Sequence, residues 1–345
     1  MKKMIPLFLA LTLLLGVLAI PALADGNTGG TLSYLNMTEE ENSLDTANRK
    51  PLLKLLYLHG VLSGQSDWLD DESLVAVLRY YDSLDALLMA LQAGELNYIK
   101  VPYYTAKYLC STNDALKITA EYHPENAAGA AKMALRFLCD GYSFMMKEDN
   151  TELRDAFDAQ ITAMKEDGTL QQLIDEHIVK ASEGGEPVAV AFEKFEGDPV
   201  RVAVTGSLPP MDYVAPDGSF AGFNTAVLAE IGKRLQKNVQ LVQVDSIGRA
   251  LALSEGTVDV VFWTRGMSEG LAERRANGEP SDEAWAETRA KREESMTEEE
   301  KSILNGAAVI PDQESRLKQR DRDKPEGTIV TQPYFSDFPV IVILK

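Results

Sequence analysis

The period of the apolar positions changes several times along this chain. An unbroken leucine-rich run from Ile5 to Ile20 comes first. Residues 25–50, rich in Gly, Asn, Thr and Glu, show no period and predict a flexible lead-in. From Leu52 the apolar pattern returns, and two stretches then share one plan. "RYYDSLDALLMALQAGELNYIKV" (79–101) and "LVQVDSIGRALALSEGTVDVVF" (241–262) each read as strand, Asp-Ser, amphipathic helix, glycine turn and strand. Leu84, Leu87, Leu88 and Leu91 recur at helical spacing on one face, as do Ile247, Ala250 and Leu251. Ser83 and Ser246 stand where a helix N-cap is wanted, because a hydroxyl there accepts an otherwise unpaired backbone N–H. Gly94 and Gly256 fall just past each helix, where a left-handed residue closes it.

The same reading extends outward. "ELRDAFDAQITAMKEDGTLQQLIDEHI" (152–178) predicts two helices broken at Asp167-Gly168, and "VRVAVTG" (200–206) predicts a strand that feeds the helix "FNTAVLAEIGKRLQ". Residues 183–199 are glycine, proline and acid rich and read as the hinge or linker between two α/β units. Residues 267–327 carry dense mixed charge, with pairs such as Glu287 and Lys291 at helical spacing, and predict an exposed helical insertion.

Charge and composition narrow the function. Lys2 and Lys3, the apolar run and Ala22-Leu23-Ala24 follow the order of a secretory signal, so residues 1–24 are expected to be removed and the protein exported. The apolar run is shorter than the roughly 20 residues that span a bilayer, and no stable membrane span is expected. A net charge of −19 opposes sequence-independent nucleic-acid binding, which relies on Lys and Arg. The two cysteines, Cys110 and Cys139, permit one disulfide in an exported chain, or two thiols packed as small apolar groups. His59, His123 and His177 are scattered without metal spacing, and no phosphate loop or nucleophile elbow occurs, so neither cofactor nor catalytic residue is assigned.

The segment from Val200 to Phe262 resembles the first lobe of the extracellular solute-binding proteins of ABC transporters, amino-acid type (family 3). The residues that carry the likeness are Leu208-Pro209-Pro210, Asp217-Gly218, Gly222-Phe223-Asn224 and the run from Asp245 through Asp259, with "TQPYFSD" (331–337) similar to the strand that leads to the hinge. "YYDSLDALLMALQAGEL" and the region through "KEDNTELRDAF" are similar to the second lobe, which here precedes the first, as in a circular permutation or in a tandem arrangement without its outer halves, the permutation needing only one copy of each lobe. The resemblance implies a two-lobed, periplasmic-binding-protein-like α/β fold (type II), each lobe a mainly parallel sheet flanked by helices. Residues 51–182 would form the second-lobe-like domain and 200–345 the first-lobe-like one. It also implies a monomer whose partners are a small solute and the membrane subunits of a transporter.

Ligands of such folds sit beyond the carboxyl ends of the strands, in the cleft between lobes. From the 200–345 domain this nominates Thr205, Leu208, Met211, Tyr213, Asn224, Trp263, Thr264, Arg265 and Tyr334; from the other it nominates Tyr81, Asp82, Ser83 and Pro102. The Arg265 guanidinium can fork two hydrogen bonds onto a carboxylate, and Trp263 can cover an apolar part of a ligand. An anionic or zwitterionic, amino-acid-like solute follows. Asn97 and Pro102 stand where the resemblance implies acids for an α-amino group. Two rivals share the fold: an exported sensor or interaction module that uses the charged insertion, and a dehydratase-like enzyme that uses Asp82 with Asp212.

Overall fold

A computed structural model describes residues 28–32, 77–81, 83–119, 139–185, 188–215, 217–245, 248–266 and 327–345. The signal, most of the lead-in, Asp82, Ser246, Ile247 and the insertion through residue 326 lie outside the described residues.

Two sheets divide the chain. In lobe A the strands β1 (Thr28–Leu32), β2 (Val77–Tyr81), β3 (Tyr98–Pro102), β4 (Leu116–Ile118) and β14 (Pro339–Leu344) run in the order β2-β1-β3-β14-β4. In lobe B the order is β10-β6-β11-β5-β12, with β13 also on β5. These strands are β5 (Asp140–Lys147), β6 (Val200–Val204), β10 (Val239–Gln243), β11 (Val260–Gly266), β12 (Thr328–Val330) and β13 (Phe335–Asp337). A small third sheet joins β7 (Ser207–Leu208), β8 (Asp212–Val214) and β9 (Phe220–Ala221). Each large sheet holds a parallel block of three strands, β2-β1-β3 and β10-β6-β11. Antiparallel strands extend both blocks: β14 in lobe A and β5 with its partners in lobe B.

The repeated sequence plan is a repeated structure. Helix α1 (Leu84–Gln92) links β2 to β3, and α6 (Gly248–Ser254) links β10 to β11, each crossing over one central strand. The Ser83 hydroxyl accepts from the Ala86 N–H at 3.2 Å, and Gly94 closes α1 at φ 75°. In the second unit the Asp245 carboxylate accepts from Gly248 N at the start of α6, and Ser246, expected as the cap, lies outside the described residues; Gly256 closes α6, also at φ 75°. Asp259, the last residue of the unit's motif, is held by Arg201 through two guanidinium contacts at 2.7 and 3.0 Å and accepts from Arg201 N at 2.9 Å. Burial works to raise this carboxyl, but the Arg201 contacts outweigh it and hold it below its ordinary range. That pair fastens the edge of β6 to the start of β11.

Two expectations change. Residues 28–32, read as lead-in, are an interior strand of lobe A, flanked by β2 and β3. The Gly29-Gly30 pair hides its strand character because the Tyr98 ring lies where a Cβ at Gly29 would go. The lobe boundary also moves. Residues 140–182, assigned by sequence to the first domain, pair and pack in lobe B, because β5 hydrogen-bonds to β11, β12 and β13. Residues 183–199 accordingly connect two elements of lobe B. The chain instead crosses between lobes after β4 and again at Phe338, between β13 and β14. Of the two alternatives left open for Cys110 and Cys139, the structure has packed thiols: both lie against the core of lobe A.

The helices of lobe B are α3 (Thr151–Glu166), α4 (Thr169–Ile174) and α5 (Phe223–Leu235), with the break at Gly168 where the sequence puts it, at φ 81°. After α4 the chain makes a π turn (Asp175–Val179) and a last helical turn, Lys180–Ser182. Phe144, Phe157, Ile161, Val202, Val204, Phe223, Leu228 and Tyr334 form the main core there. In lobe A, Leu84, Leu87, Ile99, Val101, Tyr103 and Val340 do the same.

Candidate functional site

Among the described residues the lobes meet mainly through one helix. Helix α2 (Tyr103–Thr112) begins directly after β3, and its cap residue Pro102 has no side-chain hydrogen bond to offer. Lobe B's crossover strand supplies one: Asp337 Oδ2 accepts from Tyr104 N at 3.2 Å, and Phe338 O accepts from Tyr103 N at 2.9 Å. A carboxylate at this end also complements the helix dipole. Along one face of α2, at helical spacing, Tyr104 reaches Phe335 (ring centroids 6.2 Å), Lys107 reaches Glu183 (3.8 Å) and Tyr108 reaches Tyr213 (centroids 6.4 Å). All three partners belong to lobe B. A second contact lies between α1 and β7, where Leu208 packs against the cores of both lobes.

The nominated residues fall into distinct groups. Leu208 and Tyr213 line the meeting of the lobes and are half-buried, and Ser83 is half-buried at the start of α1. Thr205 is half-buried at the end of β6, and its hydroxyl donates to Asp212 Oδ2 at 2.7 Å. That oxygen also accepts from Thr205 N and Gly206 N, both at 2.9 Å, so Asp212 ties down the turn between β6 and β7. Burial pushes its carboxyl above the ordinary range, against the pull of these donors and of the Arg249 charge. Oδ1 has no hydrogen-bond partner among the described residues. Asp212 is therefore a loop-fixing group rather than an accessible acid, which removes half of the pair nominated for catalysis.

Met211, Asn224, Tyr334 and Pro102 are nominated by sequence but buried. Asn224 and Tyr334 do come together: the Tyr334 hydroxyl donates to Asn224 Oδ1 at 2.9 Å. Asn224 Nδ2 has no partner among the described residues. Tyr81 is half-buried against the lobe A core.

Trp263, Thr264 and Arg265 are described by their backbone alone, and their side chains, like Asp82, lie outside the described residues. The backbone explains a charged residue at the end of an apolar strand. β11 pairs parallel with β6 at Val260 and Val261, shifts register, and continues antiparallel to β5 with Thr264 opposite Ser143 and Arg265 opposite Tyr142. On the other side of β5, Phe335 also pairs with Tyr142. Arg265 thus stands where β5, β11 and β13 converge on the crossover.

Sequence reasoning missed Tyr104, Lys107, Tyr108 and Asp337. The signal was present in "YYTAKY", where Tyr104, Lys107 and Tyr108 share one helical face, an aromatic and cationic stripe immediately after a nominated strand end.

Residues 200–281 match the family described as bacterial extracellular solute-binding proteins, family 3. No curated protein matches the chain. Among solved structures, the ligand-binding component of an ABC-type import system from Staphylococcus aureus is similar at 12% identity and TM-score 0.31, over 68% of this chain and 53% of that one. The periplasmic domain of BvgS from B. pertussis is similar at 10% identity and TM-score 0.35, over 92% and 37%. A phosphate-binding protein of an ABC transporter from Streptococcus pneumoniae gives 9% and 0.32, over 92% and 88%. The chain thus spans 53% and 37% of the length of the first two of these structures. Among the described residues no helix is long and apolar enough to cross a membrane.

Proposed function

We propose that this chain is an exported, monomeric binding protein that captures a small solute between lobes A and B and presents it to the membrane subunits of an ABC transporter. The family match over residues 200–281 carries the reading. The two crossings between lobes support it, because hinged lobes that share few connections can close on a ligand. Export rests on the signal-like residues 1–24.

Within that reading the solute is anionic or zwitterionic and amino-acid-like, and Arg265 receives its carboxylate. The support is positional: Arg265 lies at the convergence of the crossover strands, where closing lobes exclude water and a charge-assisted pair gains strength. Calorimetric titration of the purified chain with amino acids, short peptides and organic acids tests both levels. Saturation at one solute per chain is expected, with Arg265→Ala abolishing carboxylate binding. Unchanged affinity in that variant removes Arg265 from the site, and heat from none of the solutes removes solute capture.

A further inference from the structure

Tyr108 and Tyr213 are the two rings that face one another across the lobes without serving either interior. Neither belongs to the core of its own lobe among the described residues, whereas Tyr103, Tyr142, Tyr334 and Phe335 all do. Both are half-buried. Each is mounted on a rigid element. Tyr108 is on α2, whose first turn is fastened by Asp337; Tyr213 is the middle residue of β8, paired with Ser207 on one side and Ala221 on the other. Their centroids are 6.4 Å apart and the ring planes meet at 37°, so the two faces form a wedge rather than a stack.

We propose that Tyr108 and Tyr213 are jaws that part slightly to admit, and then grip between them, a planar, aromatic or conjugated part of the solute. The proposal rests on the solute-capture reading above and adds the class of solute. The dimensions favour it. A flat group in van der Waals contact with a ring on each side needs the rings about 7–8 Å apart, twice the usual carbon–carbon contact. The observed 6.4 Å lies near the long end of direct aromatic contact. The rings must therefore part by about 1 Å to become a filled sandwich, a displacement that a small rotation of one lobe supplies. Burial raises both hydroxyls above their ordinary value, and Tyr108 adds to the rise at Tyr213, so both stay neutral and keep their O–H donors for polar substituents on the ring. A pair that served only to hold the lobes shut would instead contribute to stability without solute and ignore the solute's shape.

The test titrates matched solutes that differ in planarity alone: phenylalanine against cyclohexylalanine, and benzoate against cyclohexanecarboxylate. The aromatic member is expected to bind wild type roughly tenfold more tightly, and Tyr108→Leu and Tyr213→Leu are each expected to erase most of that preference. Tyr108→Phe and Tyr213→Phe keep the rings and should retain it. Should aliphatic solutes bind and aromatic ones bind no tighter, or should the preference survive both leucine variants, the jaws are refuted while solute capture stands. Binding by neither kind overturns both.

Discussion

Asp337 of lobe B caps helix α2 of lobe A: its Oδ2 accepts from Tyr104 N at 3.2 Å while Oδ1 accepts from Phe338 N at 2.8 Å. One buried carboxylate, 3% exposed, thus joins the crossover strand to the helix that carries the lobe–lobe contacts. Removing it leaves one backbone donor in the first turn of α2, Tyr104 N, and the Phe338 N–H without that acceptor. Asp337→Ala is expected to lower unfolding free energy by about 1–3 kcal/mol, and Asp337→Asn by less because an amide oxygen still accepts. Urea unfolding measures the difference; equal losses would show that the acceptor geometry is not what matters.

Tyr98 fills the space above Gly29, and an added Cβ would lie 2.6 Å from the Tyr98 hydroxyl oxygen. Gly29→Ala should therefore cost about 1–3 kcal/mol through overpacking at an interior strand of lobe A. The same hydroxyl has no partner among the described residues. Tyr98→Phe should accordingly be neutral or stabilising, since it deletes a buried polar group that lacks a hydrogen bond. Thermal unfolding of the two variants checks both signs.

Asp212 holds three donors on one oxygen, so Asp212→Ala orphans two backbone N–H groups and the Thr205 hydroxyl. A loss of about 2–3 kcal/mol is expected, because groups left unsatisfied carry their full desolvation cost. Asp212→Asn keeps an acceptor and should lose much less. Equal losses for the two variants would contradict the loop-fixing role.

His177 is buried in the π turn, 7% exposed. Burial is the main cause that lowers its pKa below 6.5; the neighbouring Glu176 pulls upward and Lys180 adds to the lowering. The unfolded chain therefore takes up the proton first as pH falls. Stability from this group is complete above about 6.5 and is lost as pH drops through that value toward the folded pKa. The wild-type melting temperature should fall between pH 7.5 and 5.5, on the order of the unfolded histidine range, and His177→Gln should flatten that part of the profile. Parallel profiles in the two proteins would show that His177 does not titrate with unfolding.

What could be read from sequence followed from local rules. Ser83, Gly94, Gly168 and Gly256 act through single backbone groups within a few residues of themselves, so their roles stand in the sequence as they do in the fold. The plan of strand and helix in each lobe was legible for the same reason. What needed the structure was long-range pairing. β1 is a strand because β2 and β3 flank it and Tyr98 covers it, none of which Thr28–Leu32 announces. β5 belongs to lobe B because of β11 and β13, whose residues lie more than 100 positions further along the chain. The candidate site could be nominated from strand ends, which put forward Leu208 and Tyr213 at the meeting of the lobes. It was illegible at Tyr108 and Asp337, which matter through partners on the opposite lobe.

Solute capture is tested most directly by the melting temperature of the full chain at increasing concentrations of each solute, because a ligand that binds only the folded state adds stability by mass action. At least one small solute is expected to raise the midpoint continuously with concentration, reaching about 2.7 kcal/mol of added stability at a hundred times its dissociation constant. A midpoint unmoved by every amino acid, peptide and organic acid, aromatic ones included, would contradict the account.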